Sequence, residues 1–228
     1  MTQEQQKQAE ARKARSIAIL EGEGIPTISH LPVIEAEGAA RLRTQEETVQ
    51  RAACTFLNAV CAWNLLEAEA EDRKEAAAHY RRIAQSWGIW EALSRNERAL
   101  FSGEGTERLI QTASWRMEAF AALAWALGFL PELDLPRDQF RGNLEDFFPD
   151  VQPDSFRSFG DRARLRPAGE ILDQADLIYR IRWATDEARI HGKPFPGGID
   201  DDIAMERHAA LNWLTGYGDD WDNIPLDT

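Results

Sequence analysis

Apolar residues recur at three- and four-residue spacing along most of the chain, and that period predicts helices. A first helix is expected over 3–21, with Ile17, Ile19 and Leu20 near its end and Gly22 and Gly24 as stop signals. Residues 22–43 hold Pro26, His30, Pro32 and Gly38 and read as an extended connection, anchored by Ile25 and by Leu31-Pro32-Val33. Thr44-Gln45-Glu46-Glu47 is a capping box, a Thr cap with Glu three residues on. The helix it opens is expected to run to Glu67, with Val49, Ala53, Phe56, Leu57, Val60 and Trp63 on one broad face. Another follows over 71–92, and a second capping box, Ser94-Arg95-Asn96-Glu97, opens a short one to Phe101. The stretch from Thr106 to Gly128 has almost no polar face and reads as one buried core helix. Pro167 suits the first turn of a helix to about His191, and Asp200 caps a last one to Leu214.

Residues 131–165 are rich in Pro, Asp and Phe and are expected as an irregular connection with short helical turns at 138–147 and 153–159. No period-2 run of β-branched residues and no internal repeat occurs. The chain therefore reads as all-α, a single globular domain over 1–228 of about six to eight helices. Residues 1–43 would pack on the core as an N-terminal helix and extended segment, and Trp213 and Trp221 would pin the C-terminus back on it.

Charge narrows the function classes. Lys and Arg number 26 against 39 Asp and Glu, a formal net charge of −13 over 228 residues. That balance argues against nucleic acid, whose phosphates need basic surplus, and against an anionic membrane surface. No apolar run is long enough to span a bilayer, and the N-terminus has no apolar signal core. From Pro196 to Thr228 the acids Asp200, Asp201, Asp202, Glu206, Asp219, Asp220, Asp222 and Asp227 face a single base, Arg207. Asp200, Asp201, Asp202, Asp219, Asp220 and Asp222 form a candidate acidic docking face. Cys54 and Cys61 lie two helical turns apart, too far to bridge, and fit buried thiols in a reducing cytoplasm.

Catalytic signatures are absent: no P-loop, no dinucleotide fingerprint, no HExxH, no G-x-S-x-G, and no motif calling for a cofactor. Glu75/His79 and Glu187/His191 share helix faces at i,i+4 spacing, which is not the di-iron pattern and reads as surface pairing. The Asp200–Asp202 and Asp219–Asp222 clusters do not match an EF-hand loop, and no metal site is assigned. What stands out is charge inside apolar helices: Arg116 and Glu118; Glu170, Asp173, Asp176 and Arg180; Glu206 and Arg207. A carboxylate there must be paired, protonated or solvated by a cleft. One reading is a salt-bridge network in which Arg116, Arg180 and Arg207 pair Glu118, Asp173, Asp176 and Glu206. The other is a polar pocket for acid–base chemistry or ligand binding.

The segments Ser114-Trp115-Arg116-Met117-Glu118-Ala119, Arg166-Pro167-Ala168-Gly169-Glu170-Ile171-Leu172-Asp173, Asp176-Leu177-Ile178-Tyr179-Arg180-Ile181-Arg182-Trp183 and Glu206-Arg207-His208, with Asn212-Trp213-Leu214 and Trp221-Asp222-Asn223-Ile224-Pro225, carry a resemblance. In this order and spacing they resemble a bacterial domain of unknown function, the 4272 family, over most of the chain. The resemblance implies a soluble bacterial protein and brings no activity with it. The functional expectation is a non-enzymatic interaction protein for a basic protein partner, as a toxin-neutralising immunity protein would be. The alternative is an enzyme or small-ligand binder with a carboxylate/Arg pocket between helices.

Overall fold

The computed structural model describes residues 2–228. Its helices are α1 (Gln3–Gly22), α2 (Gln45–Glu67), α3 (Arg73–Ser86), α4 (Arg95–Phe101), α5 (Glu107–Ser114), α6 (Arg116–Ala126), α7 (Pro153–Arg162), α8 (Ala168–Ile190) and α9 (Asp201–Leu214). Single 3₁₀ turns occur at Trp90–Ala92, Leu144–Asp146 and Pro196–Gly198, and no strand occurs among the described residues. The protein is an all-α single domain.

The helix starts follow from side chains that satisfy orphan N–H groups. Thr44 Oγ1 accepts from the Glu47 N–H at 3.2 Å while the Glu47 carboxylate accepts from the Thr44 N–H at 2.8 Å. Ser94 and Glu97 repeat the exchange at α4, and Asp200 Oδ1 accepts from the Asp202 and Ile203 N–H groups at α9. At the other end of α6, Gly128 turns the chain with φ +81°, and a Cβ there would sit 3.0 Å from the Arg164 carbonyl oxygen.

Two expected helices are shorter than their apolar pattern suggests. Gly88, at φ +70°, ends the helix expected over 71–92 near Ser86. The stretch expected as one core helix over Thr106–Gly128 is two, α5 and α6, broken at Trp115. The Trp115 N–H bonds the Thr112 carbonyl and the Glu118 N–H bonds the Trp115 carbonyl, a tight i→i+3 junction. The reason lies in their different faces. In α5 only Ile110 and Ala113 are buried, whereas α6 is buried on all sides from Met117 to Ala126. The turn lets α5 stay at the surface while α6 enters the core.

Helix α6 packs between α2 and α9; α9 in turn packs on α8, and α1 lies along α8. The 131–165 region contributes α7 and an aromatic cluster. Phe129 stacks on Phe159 with centroids 4.4 Å apart, and Phe148 stacks on Phe159 and on Trp87. At the C-terminus Trp221 is buried, edge-on to Trp213 at 5.6 Å. It sits between the guanidiniums of Arg51 and Arg116, whose Cζ atoms lie 4.6 and 5.6 Å from its ring centre.

Candidate functional site

Helix α9 carries three buried polar residues in a row, Glu206, Arg207 and His208. Consecutive helical positions point about 100° apart, so the three meet different surroundings. Glu206 Oε2 accepts from Arg116 Nη1 at 3.2 Å. Burial holds the Glu206 carboxyl above its ordinary pKa, against the pull of Arg116. Arg207 donates through Nε and Nη2 to Glu118 Oε2 at 3.2 and 3.0 Å, and through Nη1 to the Asp134 carbonyl at 2.7 Å. The other Glu118 oxygen accepts from the Phe140 N–H at 2.6 Å. The pair thus ties α6, α9 and the irregular connection together.

On α8 the partners are different. Arg180 donates to both oxygens of Asp176 at 2.9 and 2.7 Å, a fully buried pair, and to the Pro32 carbonyl at 3.1 Å. Asp173 is half exposed and takes Arg12 at 3.0 Å and Arg15 at 2.6 Å, both from α1. Glu170 is an exposed partner of Arg166 at 2.9 Å. The eight residues of the predicted polar cluster therefore do not converge on one cleft. Arg116, Arg207 and Arg180 each meet one carboxylate of the set, while Asp173 and Glu170 draw on arginines outside it. The cause is spacing: Asp173 and Asp176 are three apart on α8 yet face α1 and the 31–35 strap respectively.

Three further buried charges follow the same rule and went unread in the sequence. Arg51 pairs with Glu97 beside Trp221. Arg182, also buried, meets Asp186 and Asp201. Arg12 reaches both Asp173 and the Glu35 carbonyl. Arg51 and Arg182 stand among the buried residues of α2 and α8, as Arg180 does, whereas Arg12 lies in the largely polar α1.

The acids of the predicted docking face divide. Asp200 caps α9, Asp201 is held by Arg182 and Arg189, and Asp222 accepts from the Asn96 N–H at the start of α4. Asp202, Asp219 and Asp220 remain on the surface; Asp219 contacts Arg43 yet its side chain is 88% exposed. Asp220 accepts from Asn223 and from the Asp222 N–H, which holds its carboxyl below the ordinary value. Among the described residues no three His, Cys, Asp or Glu side chains gather as a metal-binding group. His191 pairs with Glu187 at 3.2 Å on the surface, whereas Glu75 pairs with Arg82 instead of His79. Cys54 and Cys61 are free and buried, and burial pushes both thiols up to about 12.

The third member of the α9 triplet has no partner. His208 is 1% exposed, its Nδ1 makes no hydrogen bond, and burial with nearby Arg182 pushes its pKa down to about 3. The ring stays neutral at ordinary pH. It lines a half-open cavity of about 350 Å³ between α8, α9, the 32–40 strap and the C-terminal segment. Nothing in the sequence pattern pointed there, because the walls come from four separated segments.

A family model described as "Domain of unknown function (DUF4272)" matches residues 12–224. No curated protein and no solved structure matches the chain. No helix among the described residues is long and apolar enough to cross a membrane.

Proposed function

The chain belongs to the DUF4272 family, and we propose that it acts as a non-enzymatic interaction protein that binds a basic protein partner. The observation that carries this reading is where the negative charge is left unspent. Each buried carboxylate of the apolar helices is bound by an arginine, so none is free to exchange a proton with a substrate. Asp202 and Asp220 keep their charge at the surface without a cationic partner among the described residues, and exposed Asp219 adds to them. A field of this sign steers a basic surface toward the protein and raises the association rate. Neutralisation of a basic toxin by an immunity-like protein is one form such binding takes. The two unpaired thiols support a cytoplasmic setting.

The test is affinity co-purification from the source cell at low and high salt, with the wild type and with D202K/D219K/D220K. A basic protein recovered by the wild type at low salt and lost by the triple variant is the expected result. Recovery of no partner, or equal recovery by the triple variant, overturns the reading.

A further inference from the structure

The geometry points to a small-molecule site in the His208 cavity that takes an organic ammonium ion with an apolar body. It is separate from the acidic surface and does not depend on it. The cavity, about 350 Å³, lies within the size range of small-ligand sites. Its apolar wall is Pro32, Val33, Ile34, Leu172 and Ala175. Its polar groups include Tyr179, Tyr217 and Asn212, together with buried His208, whose Nδ1 makes no hydrogen bond. A buried polar group without a partner is costly, and such groups in native structures call for an explanation.

Charge selects the class. The lining includes two acids, Glu35 and Asp227, and no Lys or Arg. His208 is neutral there. Guanidiniums stand behind the lining and not in it: Arg180 donates to both oxygens of Asp176 and to the Pro32 carbonyl, Arg12 donates to Asp173 and the Glu35 carbonyl, and Arg182 meets Asp186 and Asp201. An anion would therefore meet two carboxylates and no cation in the lining, whereas a cation finds Glu35 and Asp227 with Tyr217 beside the latter. Tyr217 donates to Asp227 Oδ2 at 3.3 Å, which places that carboxylate beside the aromatic wall.

The experiment uses 2-phenylethylammonium as the probe, with phenylacetate as its anionic counterpart. Binding to the full chain is followed by NMR of the Tyr179 and His208 ring signals and by calorimetry. The expected result is saturable one-site binding of the ammonium, at least tenfold tighter than phenylacetate. A40W, which sets an indole among the lining residues from a half-exposed position, should abolish it, and D227N should weaken it at least threefold while leaving the thermal melt unchanged. No saturable shift with the ammonium, equal binding of phenylacetate, or unaltered binding to folded A40W and D227N would overturn the proposal.

Discussion

Glu206-Arg207 and His208 are neighbours on one helix and equally buried, yet they represent opposite solutions to the same problem. The first two face α6 and the irregular connection, where each charge meets a counter-charge and the second Glu118 oxygen meets the Phe140 N–H. His208 faces α8 and a cavity, and answers burial by giving up its proton. Burial alone thus does not distinguish a lock from a site. The distinction lies in whether the surroundings supply a partner. Buried ion pairs of the first kind fix which helices meet more than they add net stability, because desolvation offsets much of the attraction.

The largest effect should come from breaking a lock on one side only. Asp176→Leu strands Arg180 in the core and should destabilise the protein by about 3–5 kcal/mol in urea unfolding. Next comes the tail: Trp221→Ala removes a buried indole flanked by two guanidiniums and should cost about 3 kcal/mol, read from the same urea unfolding curves.

The cavity side should announce itself through pH. The unfolded chain's histidine takes up a proton below about 6.5, while native His208 resists until about 3. Its contribution is therefore complete above pH 6.5 and is lost as pH falls toward 3, by about 1.4 kcal/mol per unit. Between pH 6.5 and 5 wild type should lose about 2 kcal/mol more than His208→Gln, a difference that unfolding curves at the two pH values measure. Smallest of all, Asp202→Asn with Asp220→Asn should shift stability by no more than about 0.5 kcal/mol, since neither acid pairs with a cation. A larger loss in thermal melts would place these acids among the locks.

Helix starts were readable from single residues, because capping is local: Thr44, Ser94 and Asp200 open α2, α4 and α9 where their side chains predict. The break at Trp115 was not, because no Gly or Pro marks it and only the contrast between half-exposed α5 and buried α6 requires it. Charged residues in apolar helices were recognisable as anomalies, and three arginines do meet three carboxylates of the set. Their pairing was out of reach, since Glu118 and Arg207 stand 89 positions apart and Asp173 is claimed by α1. The Arg51–Glu97 lock was hidden for the same reason, although Arg51 sits conspicuously before Ala52 and Ala53. The acidic tail reads as one face, but Asp200 is spent capping α9 and Asp222 on the Asn96 N–H in the first turn of α4.

The most direct test of the lock reading is a double-mutant cycle on Glu118→Gln and Arg207→Met. Each single change should cost about 3 kcal/mol or more, and the double should cost well under their sum, because removing both charges leaves neither one stranded. Single changes that are nearly neutral, or a double that is simply additive, would contradict it.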